Sequence, residues 1–150
     1  MIYGRWSYRL RVLLPTVALM FSGISLAQPP SAAATLYDRL GGESGIENIV
    51  VEMLVRIADD ERIAPIFAAS NLTRLHMLLQ EQICEVANGP CEYTGFSMEE
   101  SHRGMAVTET EFNAVVEALI LAMESLDVAV PVQNQLLARL APMHADIVNR

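Results

Sequence analysis

Lysine is absent from this 150-residue sequence: all ten basic residues are arginine, against 18 acids and a formal charge of −8. That balance excludes the clustered cations by which a protein displaces counterions from a nucleic-acid backbone, so nucleic acid is not a partner. Cysteine occurs twice, as Cys84 and Cys91, and histidine three times, without the spacing of a zinc site. There is no glycine-rich phosphate loop, and the acids fall mainly in helix caps and on polar helix faces, which leaves most enzyme classes without a signature. The one long apolar run, Val12 to Leu26, is shorter than the roughly 20 residues that span a bilayer comfortably, and it contains Pro15, Ser22 and Gly23. At 150 residues the chain has room for one packed domain.

What is present begins with an asymmetry. Arg5, Arg9 and Arg11 precede that apolar run, and Ser25-Leu26-Ala27 follows with small residues at the two recognition positions. These are the three parts of a secretory signal peptide, expected at residues 1–27 with cleavage after Ala27, and the alternative is an uncleaved anchor. The expected location is therefore outside the cytosol, periplasmic or secreted, with no membrane contact after cleavage. Removal of the signal leaves seven arginines against 18 acids, a charge of about −11 on the mature chain. Residues 28–34 (QPPSAAA) read as a linker, and 35–150 as the domain.

From Thr35 onward apolar residues recur at spacings of three and four, which predicts an all-α fold. Helix starts are marked by Ser or Thr followed three residues later by an acid, the capping box that satisfies orphan backbone N–H groups from both ends. Four boxes occur: Thr35 to Asp38, Ser44 to Glu47, Ser97 to Glu100 and Thr108 to Glu111; Asn71 offers a further cap. The predicted helices cover about 35–40, 44–58, 71–87, 97–104, 108–126 and 131–148, with Pro142 kinking the last. In the long helix Leu72, Leu75, Leu79, Ile83 and Val86 share an arc of about 80°, one buried stripe.

His102 lies four residues after Met98, on one side of a short, strongly capped helix. An axial metal ligand needs such an apolar approach, because its imidazole must be neutral and held in one orientation. Alone the pairing is a weak signal, since most histidines beside a methionine are ordinary half-exposed side chains. The surrounding text adds to it. LYDRLGG (36–42), DERIAPIF (60–67), Gly89-Pro90, and Tyr93-Thr94-Gly95-Phe96-Ser97-Met98 running into His102-Arg103-Gly104-Met105 together resemble the group 1 truncated haemoglobins. The resemblance covers about Thr35 to Val148 and needs no gap between Asn71 and His102. It implies a truncated globin, a two-over-two helical sandwich around haem.

Carried over by that resemblance, His102 matches the proximal iron ligand and Phe67 the phenylalanine wedged against the porphyrin. Met98, Leu72, Leu75 and Leu79 fall at haem-contacting positions. The tyrosine and glutamine that such proteins place on the distal side correspond to Leu54 and Leu79, and Leu75 and Met53 are apolar as well. A hydrogen bond to bound oxygen is worth about 1.5–3 kcal/mol, so its loss speeds release roughly ten- to 150-fold. His76, beside Leu75, and the Met53 thioether are candidates for a sixth ligand. The basic residue expected to pair with a haem propionate is replaced by Leu78, and Arg74 or Arg103 are its possible substitutes.

Cys84 and Cys91 flank an Asn-Gly-Pro turn, and an even count in an exported chain points to a disulfide, with a redox-responsive pair as the alternative. No Cys-x-x-Cys-His string exists, so the expected cofactor is non-covalent haem b. The leading expectation is reversible binding of a diatomic gas, O2, NO or CO, as in oxygen binding and transport. Six-coordinate electron transfer with a redox partner, nitric oxide dioxygenation and peroxidase-like chemistry are the alternatives. A different class is a haem-free interaction domain whose acidic surface meets a basic partner.

Overall fold

Thr35 opens the first helix in the way its sequence predicts. Its hydroxyl accepts from the Asp38 backbone N–H at 3.1 Å while the Asp38 carboxylate accepts from the Thr35 N–H at 2.8 Å. The computed structural model describes residues 33–150, so the expected signal peptide and residues 28–32 of the linker lie outside the described residues. The elements are α1 Leu36–Arg39, α2 Gly42–Asp59, α3 Ala64–Phe67, α4 Leu72–Val86, α5 Met98–His102, α6 Glu109–Ser125, α7 Val130–Leu140, a 3-10 turn Ala141–Met143 and α8 His144–Ile147. No strand occurs among the described residues.

Three of the four capping boxes form, at Thr35, Ser97 and Thr108, and Asn71 caps α4 by accepting from the Arg74 N–H at 3.0 Å. The box expected at Ser44 does not. Gly41 and Gly42 both take positive φ (91° and 66°), so the chain turns and enters α2 at Gly42, which leaves Ser44 inside the first turn. The short α3 was not expected; it carries Pro65 in its first turn, where proline is suited, and is too brief to show periodicity. The predicted helix 131–148 is three pieces, because Pro142 withdraws a backbone donor and the chain tightens to 3-10 there.

α2 packs chiefly on α6 and α4 and carries the core. Ile46, Ile49, Val50, Met53 and Ile57 recur at three and four along it and are all buried. They meet Leu119, Ala122 and Met123 of α6 and Leu136 of α7 in one apolar cluster. The end of α4 is fastened to the following segment by the Cys84–Cys91 disulfide, whose Cα atoms lie 5.8 Å apart. Gly89 is required in that turn, since a Cβ there would sit 2.9 Å from the Cys84 carbonyl oxygen and 2.6 Å from its sulfur. Farther along, the Thr94 N–H and hydroxyl donate to one Glu81 oxygen at 2.9 and 2.7 Å, so the segment leading to α5 is held to α4 twice.

Candidate functional site

Between α4 and α5, walled also by α2, α3, α6 and the C-terminal turns, lies a cavity of about 350 Å³ lined almost wholly by apolar side chains. α5 brings His102 to its wall. The Ser97 hydroxyl accepts from the Glu100 N–H at 3.2 Å and Glu100 answers onto the Ser97 N–H, which fixes where this five-residue helix begins. One turn on, the Nδ1 of His102 stands 2.8 Å from the Met98 carbonyl oxygen. A carbonyl only accepts, so Nδ1 carries the proton, and the lone pair of the neutral ring belongs to Nε2.

Of the other residues expected at the site, Phe67, Met98, Leu75, Leu79 and Met53 line the same cavity, as does Leu78. Leu54 does not: it stands about 100° round α2 from Met53 and packs against the core instead. Leu72 is also absent from the wall, being 60% exposed as the first residue of α4, where no neighbouring helix reaches over it. Arg103 and Arg74 are exposed and off the wall. Arg74 is nevertheless near enough to Tyr93 and Glu81 to act on both electrostatically. His144 is not on the wall: it pairs with Glu109 at 3.0 Å and packs edge-on to Phe112, which does line the cavity.

His76 and Gln82 show why the wheel alone could not choose. Each lies about 60° from the centre of the Leu72–Val86 stripe, on opposite shoulders. The cavity face of α4 carries Leu75, Leu78, Leu79, Gln82 and Ile83, which is the stripe turned by roughly 30° toward Gln82 and away from His76. His76 keeps a buried Nε2 with no hydrogen-bond partner and does not reach the cavity. Besides His102, the polar residues that do are Ser70, Gln82, Tyr93, Ser101 and Glu111, none of which sequence reasoning placed at the site. For Gln82 the signal was its place about 20° from the edge of the stripe. Burial pushes the Tyr93 hydroxyl above its ordinary pKa, and a hydrogen bond with Ser101, the residue before His102, opposes it.

Residues 35–149 match the bacterial-like globin family. The group 1 truncated hemoglobin GlbN of Nostoc sp. is 32% identical over 117 residues, 78% of this chain and 99% of its own length. Among solved structures, the truncated hemoglobin of Tetrahymena pyriformis in its Fe(III) form superposes with a TM-score of 0.75 at 25% identity, covering 78% of this chain and all of that one. The 2/2 hemoglobin of Synechococcus sp., solved with covalently attached heme, shares the fold at TM-score 0.73 and 22% identity, again over 78% and 100% of the two chains. The chain belongs to the bacterial-like globins and, within them, to the group 1 truncated haemoglobins.

Globins carry haem, and the donor set here fits it. No group of three or more His, Cys, Asp or Glu able to hold a bare ion occurs among the described residues. A lone oriented imidazole on an apolar slot suits an iron that arrives with four ligands of its own.

Proposed function

We propose that this domain binds haem b non-covalently, with Nε2 of His102 as the proximal ligand, and takes up a diatomic gas reversibly. The observation that carries the reading is the 2.8 Å contact between His102 Nδ1 and the Met98 carbonyl on the wall of an apolar cavity. Bound haem would supply an iron site for O2, NO or CO. His102 would hold the metal from one side, its tautomer and ring plane set by Met98. Phe67 would pack on the macrocycle, and Leu75, Leu78 and Leu79 would keep water out. Tyr93 and Ser101, with Arg74 nearby, form the polar edge suited to the propionates, in place of the cation that Leu78 replaces.

Met53, Leu75, Leu78 and Leu79 offer a bound gas no hydrogen-bond donor, which favours rapid exchange over tight oxygen storage and over chemistry that needs a distal proton. We also propose that the protein works outside the reducing cytosol, a reading supported by the Cys84–Cys91 bridge. The deciding experiment is an optical spectrum of the haem-loaded protein, ferric, ferrous and with CO, beside His102→Ala. A Soret band lost in the variant supports the assignment, and failure of the wild-type chain to take up haem stoichiometrically sinks it. Extraction of the haem into acidified organic solvent tests non-covalent binding. Leu79→Gln, which adds a donor to the cavity, should slow oxygen release roughly ten- to 150-fold, read by stopped flow.

A further inference from the structure

We propose that Gln82 is a positioning residue for the His102 imidazole, acting through Met98; this rests on the haem reading above. Gln82 Nε2 lies 3.2 Å from the Met98 sulfur and 3.4 Å from the Met143 sulfur. Its two amide hydrogens are thereby shared between α5 and the 3-10 turn, from a helix, α4, that belongs to neither. Met98 is also the residue whose carbonyl accepts from His102 Nδ1 at 2.8 Å. A side-chain clamp and the backbone acceptor of the candidate ligand therefore meet in one residue.

The chemistry gives this arrangement a purpose. Thioether sulfur is a weak acceptor and a methionine side chain is flexible, so two N–H···S contacts contribute more order than energy. α5 spans five residues, far too few to hold its own shape, and it depends on anchors at its ends. One anchor is the Ser97 cap; Gln82 supplies a second, on the first turn. Where that turn rests decides where the Met98 carbonyl points, and hence the plane of the imidazole and the strength of its Nδ1 hydrogen bond, which tunes ligand basicity. A leucine or methionine at position 82 would fill the same space without the desolvation cost of a half-buried amide.

The test uses the haem-loaded ferrous protein and reads the iron–histidine stretching band by resonance Raman, with the ferric/ferrous midpoint potential as a second readout. Gln82→Met keeps the volume and removes both donors. The band should move to lower frequency and broaden, and the potential should rise, as the Nδ1 bond loosens. Met98→Leu, which removes one acceptor but keeps the carbonyl, should shift the band the same way. The double variant should shift it no further than the larger single change. An unmoved band in Gln82→Met, or shifts that simply add, overturns the proposal. If Gln82→Met does not fold, Met143→Leu releases the clamp from its other end and must loosen the same band. Absence of a Soret band in the wild type would instead sink the haem reading, so the two failures are distinguishable.

Discussion

The two sides of α4 are built on opposite principles. Toward the first half of α2 and the end of α6 the molecule is sealed, with Ile46, Ile49, Val50, Met123 and Leu136 each no more than 1% exposed. Toward α5 the side chains are as apolar, yet Leu75, Leu78, Leu79 and Phe67 stay half-buried around a 350 Å³ cavity. Burial of apolar surface is what stabilises a fold, so a domain that leaves this much of it uncovered on one side must draw its stability from the other. The sealed side holds the fold, and the open side is kept for a ligand that completes it.

The two sides should differ most on matched truncations. Ile49→Ala empties space inside a close-packed cluster and should cost about 2–5 kcal/mol, whereas Leu79→Ala, already facing a cavity, should cost about 1 kcal/mol. Urea unfolding of the haem-free protein measures both, and equal losses would show that the cavity wall is part of the same sealed core. With haem loaded, the Leu79→Ala penalty should grow, because the truncation then also weakens a bound state that stabilises by mass action.

The same division sorts what could be read from the sequence. The sealed side was legible in its helices: spacings of three and four predicted the all-α domain, and capping boxes at Thr35 and Thr108 marked two of the helix starts, whereas the buried face of α6 runs through Ala114, Ala118 and Ala122, side chains too small to stand out as a stripe. Ser44 misled because its box is a local pattern, and the positive φ of Gly41 and Gly42 had already started the helix two residues earlier. On the open side, residue types were legible and angles were not. The family resemblance named Leu54 and Leu72, and the helical wheel offered His76 beside Leu75, but whether a residue reaches the cavity depends on how each helix is rotated against its neighbours. That rotation chose Met53 over Leu54 and Gln82 over His76. The Cys84–Cys91 pairing was legible because only seven positions separate the two across a turn.

That disulfide crosses the boundary: Cys84 is 3% exposed in the core, while Cys91 sits on the exposed segment that leads to α5. Closing so short a loop should stabilise by about 2–3 kcal/mol on the chain-entropy account. Reduction should lower the urea midpoint accordingly. It should also speed amide exchange in residues 90–97 while leaving α2 and α6 protected, because beyond the Asn88 and Gly89 backbone bonds to α4 the Thr94–Glu81 contacts are then what holds that segment to the helix. If protection falls equally in α2, the bridge braces the whole domain and not the cavity side alone.

The smallest effect separates the two sides by pH. Hydrogen bonding holds three cap carboxyls below their ordinary range: Asp38 by the side chain and backbone of Thr35, Glu100 by those of Ser97, and Glu111 by the backbone and side chain of Thr108. A carboxyl whose folded pKa is depressed contributes stability that is fully present above its unfolded pKa, near 4, and that is lost as pH falls through the lower folded value. All three boxes should therefore weaken in the acid range below about pH 4. The consequences differ, because α6 is anchored by its buried face along 17 residues, while α5 has five and no buried residue of its own. Acidification should accordingly fray α5 first, loosening His102 before the helical signal of the domain falls. Amide exchange followed from pH 5 to pH 3 checks the order, and Ser97→Ala should advance the loss of α5 protection to higher pH while leaving that of α6 in place. Simultaneous loss would mean that α5 draws its order from the sealed core and not from its own cap.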